Sequence, residues 1–424
     1  MNARVAAISS RTFAALRFRN YRLYFFSQIV SFSGTWMQGI AQAWLVLQLT
    51  GSGTALGTVV AMQFLPTLLL APYGGVIADR FDKRKLIIVT QSIAGLLALL
   101  LGILTLSGTV QLWMVYVIAA GFGAVTAIDN PSRQTFVMEM VGPADIANAV
   151  TLNSVVVNAA RAIGPAIGGV IIATVGIGQC FVFNAASYLA VIVALLFVRP
   201  SELHPSARSA RAPGQLRAGF RYAWNTPTLR TTLVMLAIIG TFTYEFTTTL
   251  PLLSEFTFGA GSSGLATMTA LMGAGAVVGG LVVASSGPPT PRRLVLVASA
   301  FGTGVLTVAV MPTIGLVYVV MPFVGAASVG VISLSNATLQ LNSDPMLRGR
   351  VMAIFSMALI GSTPIGGPMM GWIGETIGPR YALLLGGAAA VMAAAFGRVN
   401  LARAAEQRTT PAPMRLAVDG TTAR

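Results

Sequence analysis

The sequence predicts an all-α membrane protein with twelve transmembrane helices in two pseudo-symmetric six-helix bundles. Three observations support this prediction. Of the 424 residues, 55% are hydrophobic and only 9% are charged, with a mean hydropathy of +0.77, whereas soluble domains carry about 25% charged residues. Apolar runs of about 20 residues, the length that crosses a bilayer, recur along the chain. Positive charges are confined to alternate connections between these runs.

Each apolar run lies between charged or Gly- and Pro-rich turns and is long enough to cross the hydrocarbon core as a helix. The first half contains runs at 22–49, 55–78, 85–107, 110–129, 150–174 and 179–198. The second half contains runs at 229–251, 263–285, 293–312, 314–335, 351–373 and 379–397. The predicted domains are a first bundle at 1–198, a basic cytoplasmic linker at 199–228, a second bundle at 229–398 and a cytoplasmic tail at 399–424.

The distribution of positive charge predicts the orientation. Apart from Arg161 and Arg380, the 27 Lys and Arg residues lie in or next to the N-terminal arm, the even-to-odd connections and the tail. The other connections contain none, at 50–54, 108–109, 175–178, 252–262 and 313. Because Lys and Arg stay on the cytoplasmic side, we expect a multi-pass protein of the bacterial inner membrane with both termini in the cytoplasm. The net charge of +15 then reports orientation, and no nucleic-acid partner is expected.

Two further patterns concern the organisation of the chain. The string Gly164-Pro165-Ala-Ile-Gly168-Gly169 recurs loosely about 200 residues later as Thr363-Pro-Ile-Gly-Gly-Pro368, which indicates an internal repeat. Two similar halves joined by a linker are typical of alternating access. Within the linker, residues 215–224 have an amphipathic pattern, which fits either a helix along the membrane interface or a solvated spacer.

The sequence lacks the residues that several kinds of chemistry require. Cys180 is the single cysteine and His204 the single histidine, so an intramolecular disulfide, a thiolate cluster and the usual zinc or Ser–His–Asp sites are excluded. No G-x-x-x-x-G-K-[ST] string occurs, so ATP is not expected to drive the protein. We predict no enzymatic activity, no metal and no cofactor.

The connection between the second and third runs reads Gly75-Val-Ile-Ala-Asp79-Arg80-Phe-Asp-Lys83-Arg84-Lys. This string resembles the signature loop of the major facilitator superfamily, with an aspartate in place of the usual second glycine. The resemblance implies a gate latch, in which Asp79 caps the start of the eleventh span and Lys83 or Arg84 pairs with Asp129. A carboxylate at a helix N-terminus contributes about 0.3–1 kcal/mol. This is enough to shift an equilibrium between two conformations without trapping the protein in one of them. The alternative is an ordinary basic membrane-flanking turn.

In the fifth span, Gly164, Pro165, Gly168 and Gly169 resemble the antiporter motif of drug/proton exporters in that superfamily. Glycines four residues apart allow another helix to approach closely, and a proline kinks its helix. We predict a tight seam between the halves, formed by this motif and by the Gly275-x-x-x-Gly279 face of the eighth span. Ordinary small-residue packing is the alternative.

Other strings resemble a more specific group, the enterobactin-exporter-like or transmembrane secretion effector group. They are Arg19-Asn-Tyr-Arg-Leu-Tyr, Gly34-Thr-Trp-Met-Gln, Trp44-Leu-Val-Leu-Gln-Leu-Thr, Asp129-Asn-Pro-Ser-Arg-Gln, Ala160-Arg-x-x-Gly-Pro, Leu250-Pro-Leu-Leu and Arg348-Gly-Arg. This resemblance implies export of drugs or siderophores. One departure concerns the arginine that many drug/proton antiporters carry inside the fourth span. Residues 113–128 contain no basic residue. The function of that arginine is therefore either absent from this protein or performed by Arg161.

Two charged residues, Arg161 and Glu245, lie well inside predicted spans, away from their ends. A charge at the bilayer centre costs at least about 2.5 kcal/mol, and burial favours the protonated form of a carboxyl. Glu245 in the seventh span is therefore the candidate proton carrier, and a structural acid with a polar partner is the alternative. Arg161 in the fifth span is assigned to proton coupling with it, although a structural role as a strut fits equally well.

Polar side chains at helical spacing predict a shared cavity, because such faces avoid lipid. The predicted cavity residues are Ser31, Thr35, Gln38, Gln42, Asn158, Thr241 and Thr248. Together these patterns predict a monomeric antiporter that exports amphiphilic small molecules, either drugs or a siderophore-like metabolite, in exchange for protons. The alternatives are a proton-coupled importer of the same fold and a non-transporting membrane sensor.

Overall fold

The computed structural model describes residues 14–142, 145–204, 215–287, 289–344 and 346–409, and this part of the chain is almost entirely helical. The helices of the first half are α1 (Arg19–Thr50), α2 (Gly53–Arg80), α3 (Lys83–Leu106), α4 (Leu112–Val141), α5 (Ile146–Thr174) and α6 (Ile177–Leu196). In the linker, α7 (Gln215–Asn225) is helical, and its placement along the membrane interface stays a prediction.

The second half contains two interrupted spans. The first consists of α8 (Pro227–Phe242), α9 (Phe246–Leu252) and a π-helical turn (Leu253–Thr257). Three continuous helices follow: α10 (Gly261–Ser285), α11 (Pro291–Val310) and α12 (Ile314–Asn342). The second interrupted span consists of α13 (Arg348–Ile360) and α14 (Thr363–Thr376), and α15 (Pro379–Thr409) ends the described chain.

Eleven helical stretches in the described part of the chain are long and apolar enough to cross a membrane. The prediction of an all-helical membrane protein is therefore confirmed at this level. The predicted first span, α1, is not among the eleven, since glutamines, serines and threonines recur along its 32 residues.

The ends of most helices lie within a few residues of the prediction, but α15 continues past the predicted end at 397 and into the predicted tail at 399–424. Helix α4 likewise continues well past the predicted end at 129, and Pro131 lies inside this helix rather than in a turn after it. Membrane helices tolerate proline where neighbouring groups satisfy the disturbed backbone, and the Ser132 hydroxyl donates to the Ile128 carbonyl at 2.7 Å.

Packing follows the two halves of the sequence. In the first half, α1 packs against α5 and α6, α2 against α4, and α3 against α4 and α6. In the second half, α10 packs against α12, α11 against α12 and α15, and α8 against α15. The buried apolar residues form two clusters drawn mainly from the first half and one drawn mainly from the second. Each half thus has its own apolar core.

The most extensive contacts between the halves are those of α2 with α14 and of α5 with α10. We call the end that carries the α1–α2, α3–α4 and α5–α6 turns the outer end, following the charge pattern, and the opposite end the inner end. Glycines bring α2 and α14 into backbone contact. A Cβ atom on Gly57 would lie 2.1 Å from the carbonyl oxygen of Gly367, and one on Gly371 would lie 2.1 Å from that of Gly53. Both contacts lie in the outer part of α2.

The seam between α5 and α10 uses different residues from those predicted. A Cβ atom on Gly273 would lie 2.6 Å from Ala162 Cα, whereas one on Gly275 would lie 1.9 Å from the carbonyl oxygen of Pro322. Gly279 likewise faces α12. The prediction that Gly275 and Gly279 face the first half is wrong, because residues two positions apart lie about 200° apart around a helix.

Candidate functional site

Glu245 lies where the seventh span is interrupted. Helix α8 ends at Phe242 and α9 begins at Phe246, and the Glu245 carbonyl accepts from the Thr248 and Thr249 amides at 3.0 and 2.9 Å. The side chain is 2% exposed. Its Oε1 has no hydrogen-bond partner among the described residues, although the polar side chain of Thr363 lies beside the carboxyl.

The interruption is held in place by the second half itself. The Thr243 hydroxyl donates to the Gly386 carbonyl of α15 at 2.7 Å, and the Tyr244 hydroxyl donates to the Ser328 carbonyl of α12. The Tyr244 ring also packs against Phe301, with 5.1 Å between ring centroids. The backbone that presents Glu245 is therefore fixed relative to its own bundle.

The Glu245 carboxyl lies directly behind the seam between α2 and α14. A Cβ atom on Gly366 would lie 2.8 Å from Glu245 Oε1, and one on Gly367 would lie 3.5 Å from Oε2 and 3.0 Å from the Gly57 carbonyl oxygen. The Thr248 hydroxyl nearby also lacks a partner among the described residues. A buried carboxylate oxygen without a partner is costly, and the neighbouring Thr363 side chain carries no charge. No positively charged side chain among the described residues pairs with this carboxyl.

Arg161 belongs to α5, which packs against α10 in the other seam between the halves. Its Cζ atom is 5.0 Å from the ring centroid of Trp36, and its buried Nε has no hydrogen-bond partner among the described residues. It lies within electrostatic range of Tyr244, the residue before Glu245. No salt bridge joins Arg161 and Glu245 in the described chain, and their assignment to proton coupling stays a prediction.

The predicted polar face of α1 is turned towards α6. The Asn184 side-chain amide donates to Gln38 Oε1 at 2.6 Å, and the Thr35 and Tyr188 hydroxyls lie 3.5 Å apart. Ser31 and Gln42 are buried. Gln38 and Thr35 on this face therefore make polar contacts within the first half, a pairing that the spacing of the polar residues does not predict.

The other predicted cavity residues have separate surroundings. The Thr241 hydroxyl donates to the Ala237 carbonyl one turn earlier, at 2.7 Å, and Thr248 lies near the seam as described above. Asn158 belongs to α5, but its side chain lies outside the part of the chain that the structure describes. The assignment of these side chains to a substrate cavity stays a prediction.

Within the signature loop, Lys83 and Arg84 have partners other than the predicted one. The Lys83 ammonium lies 2.7 Å from Glu139 Oε1. Arg84 donates to the Leu195 and Leu196 carbonyls at 2.7 and 3.0 Å. The predicted pairing of either residue with Asp129 is therefore wrong. These contacts attach α3 to α4 and α6 within the first half.

Asp79 lies at the inner end of α2, half-buried, and Arg80 follows it on the exposed surface. The Asp79 carboxylate has no hydrogen bond or ion pair within the described part of the chain. The predicted cap on the eleventh span is thus not formed in this conformer, and the latch role of Asp79 and Arg80 stays a prediction.

Asp129 lies in the middle of α4, because the helix continues beyond it. Its Oδ2 accepts from Arg133, and its Oδ1 accepts from the Thr90 hydroxyl at 2.6 Å and the Gln91 amide at 3.1 Å. Arg133 also donates to Gln28 of α1. Because α4 continues to Val141, Arg133 lies inside the fourth span. The expectation that this span lacks a basic residue is therefore also wrong. The i,i+4 spacing from Asp129 was the signal that pointed to Arg133.

The antiporter-like motif contacts both halves. A Cβ atom on Gly164 would lie 2.5 Å from the Ser33 carbonyl oxygen of α1, and one on Gly168 would lie 3.4 Å from Met37 Cα. A Cβ atom on Gly169 would instead lie 2.4 Å from the Ala266 Cβ of α10. Pro165 lies within α5 between these contacts. The motif therefore allows α5 to pack closely on α1 and on α10.

The family follows from comparison with known proteins. A family model described as transmembrane secretion effector matches residues 10–416. The chain belongs to this family, which is part of the major facilitator superfamily. The staphyloferrin A transporter of Staphylococcus aureus is 26% identical over 84% of this chain and 90% of that protein. The multidrug efflux pump Tap of Mycolicibacterium fortuitum is 26% identical over 84% and 89%. The enterobactin exporter EntS of Shigella flexneri is 22% identical over 85% and 86%.

Solved structures share the fold of this family member at low sequence identity. An inward-facing bacterial homologue of the human lysosomal transporter Spinster aligns with a TM-score of 0.69 at 15% identity, covering 93% of this chain and 98% of that one. A POT family transporter in complex with 5-aminolevulinic acid aligns with a TM-score of 0.75 at 9% identity, covering 91% and 96%. The protein is therefore a multi-pass membrane transporter and not an enzyme.

Proposed function

We propose that this family member is a proton-coupled exporter of amphiphilic small molecules. The observation that carries the proposal is Glu245, a buried carboxyl without a partner for Oε1 in the described chain, at the break between α8 and α9 and directly behind the α2–α14 seam. Loading or releasing a proton there changes the charge next to the surface at which the halves meet. Such a change biases the equilibrium between two arrangements of the halves.

The proposed architecture is twelve spans in two six-helix bundles related by a pseudo-twofold axis, with α1 as the first span. The separate apolar cores of the two halves support it, as do the two helix pairs that make the most extensive contacts between them. The backbone contacts between α2 and α14 lie towards the outer end, and the Asp79 carboxylate at the inner end is without a partner in the described chain. We interpret this conformer as inward-open.

The substrate class and direction are inferred from the relatives. Their names describe a multidrug efflux pump, an enterobactin exporter and a staphyloferrin A transporter. Drugs or a siderophore-like metabolite are therefore the proposed cargo, exported from the cytoplasm across a bacterial inner membrane. We further propose that the protein acts as a monomer, that both termini are cytoplasmic, and that Asp79 caps the start of α13 when the inner end closes.

Everted membrane vesicles test the proposal directly. In these vesicles the cytoplasmic face points outward, and respiration acidifies the interior. Ethidium serves as an amphiphilic cationic probe. We expect ethidium to accumulate inside vesicles that contain the protein, and to leave them when a protonophore collapses the gradient.

Two outcomes would contradict this function. Ethidium movement in the opposite direction relative to the proton gradient would favour an importer. If neither ethidium nor a panel of siderophores is moved by the purified protein in liposomes, the sensor alternative would be favoured.

A further inference from the structure

Helices α2 and α14 pack antiparallel, since Gly53 lies against Gly371 while Gly57 lies against Gly367. Each helix carries a carboxylate one residue before its last: Asp79 in α2 and Glu375 in α14. A negative charge is unfavourable at the C-terminal end of its own helix and favourable at the N-terminal end of a neighbour. Each carboxylate is therefore suited to cap the start of the opposite span: Glu375 that of α2, and Asp79 that of the interrupted span that begins with α13.

At the outer end, this cap is formed. Glu375 Oε2 accepts from the Ser52 hydroxyl at 2.7 Å, from the Thr54 hydroxyl at 2.7 Å and from the Thr54 backbone amide at 2.9 Å. Ser52 is itself the N-cap of α2, and its hydroxyl accepts from the Ala55 amide at 3.1 Å. A side chain of the second half thus completes the N-terminal cap of a helix in the first half.

At the inner end, the equivalent arrangement is open. The Asp79 carboxylate has no hydrogen bond or ion pair among the described residues. The first turn of α13 follows Leu347, which provides no side-chain cap, and begins with Arg348. The uncapped start of α13 and the Asp79 carboxylate both lie at the inner end.

We infer that Glu375 is a positioning residue of the transport cycle, which holds the outer ends of α2 and α14 together as the counterpart of Asp79. Opening the outer end breaks the three bonds to Ser52 and Thr54, and closing the inner end supplies a cap by Asp79 in exchange. Because Glu375 is exposed to solvent, its bonds exchange readily with water. The inference rests on the proposed alternation of the two halves.

Distance measurements between spin labels on the full-length protein in lipid nanodiscs test this inference. Labels are placed at Thr109→Cys and Thr313→Cys, exposed positions in outer connections of the two halves. Cys180 is buried, and a Cys180→Ala background removes any reaction there. We expect Glu375→Gln to raise the ratio of outer-open to outer-closed molecules about three- to ten-fold. Asp79→Asn is expected to lower the same ratio.

Further variants make the test specific. The Ser52→Ala/Thr54→Val variant removes donors from the other side of the contact and is expected to reproduce the effect of Glu375→Gln. Combining Glu375→Gln with Asp79→Asn is expected to bring the ratio back towards that of the parent. Glu255→Gln, near the outer end but outside this contact, serves as the control and is expected to leave the ratio unchanged.

Shifts of the same sign in Glu375→Gln and Asp79→Asn, or no shift in either, would overturn the inference. A variant that is not monodisperse on size exclusion is replaced by the Ser52→Ala/Thr54→Val pair, which probes the same bonds. The readout does not depend on substrate. A protein that opens and closes as expected but moves no cargo would refute the proposed export while leaving the role of Glu375 intact.

Discussion

The two halves bury acidic residues in opposite ways. In the first half, Asp129 is 7% exposed and bonds Arg133, Thr90 and Gln91. In the second half, Glu245 is 2% exposed and its Oε1 has no partner among the described residues. The two side chains are therefore buried to a similar extent, but only Asp129 has a partner of opposite charge among the described residues. The comparison teaches that the missing partner, rather than depth alone, distinguishes a candidate proton carrier from a structural acid.

The largest effect is expected at Glu245. Glu245→Gln keeps the shape of the side chain but cannot exchange a proton, so transport driven by a pH gradient should fall to background in proteoliposomes. Exchange of labelled for unlabelled substrate without a gradient should persist, because it needs no net proton movement. Glu255→Gln is the matched control and should keep gradient-driven transport. Full gradient-driven transport by Glu245→Gln would remove this residue from the mechanism.

The opposite result is expected in the first half. Asp129→Asn leaves Arg133 without its charged partner, and breaking a buried pair costs about 3–5 kcal/mol. We expect a lower free energy of unfolding, measured by denaturant titration in detergent micelles. Adding Arg133→Gln should recover part of the loss. If Asp129→Asn were as stable as the parent but uncoupled from protons, the carrier would lie in the first half and the comparison would be reversed.

The seam in front of Glu245 can be tested separately. Gly57→Ala places a methyl group 2.1 Å from the Gly367 carbonyl oxygen in the present arrangement, and such overpacking costs about 1–3 kcal/mol. The outer-closed state should lose population, measured by labelling of cysteines introduced along the cleft. Gly39→Ala has nothing within 4 Å of its new methyl and should be neutral. Equal labelling of both variants would show that the seam tolerates the added atom.

The smallest effect is expected for Asp79→Asn. Losing a charged cap costs about 0.3–1 kcal/mol, which corresponds to a change in turnover of roughly two- to five-fold. Asp82→Asn is the control: Asp82 caps α3 by accepting from the Lys85 amide at 2.9 Å, and asparagine caps equally well. Initial rates in vesicles measure both. A turnover of Asp79→Asn equal to that of the parent would count against the latch.

Most of the fold could be predicted because a bilayer restricts the chain to long apolar helices. The errors arose where tertiary contacts override a local signal. Asp129-Asn-Pro131 has the composition of a turn, yet α4 continues through it, and Arg133 and Glu139 were missed as a result. The break between α8 and α9 was also not predicted, since its hydrogen bonds go to residues far along the chain.

The candidate site was only partly accessible from sequence. Glu245 and Arg161 could be found because a charge within an apolar run is rare and costly. Glu375 lies exposed in the last turn of α14 with no local signal, and its partner Ser52 is 323 residues away in the sequence. Gln38 was predicted to line a substrate cavity, a role that stays a prediction, and only the structure gives its partner, Asn184. Pairings across the halves depend on packing, which a single sequence does not encode locally.

The length of two helices bears on the response to the surrounding lipid. α4 has 30 residues and α12 has 29, about 45 Å each, whereas the hydrocarbon layer is about 30 Å thick. Both begin at outer turns, so their surplus lies at the inner end. In a thicker or thinner bilayer, the membrane–water interface then lies at a different position along these projecting ends, and the helices need not tilt. The protein should therefore tolerate hydrophobic mismatch without altering the geometry around Glu245.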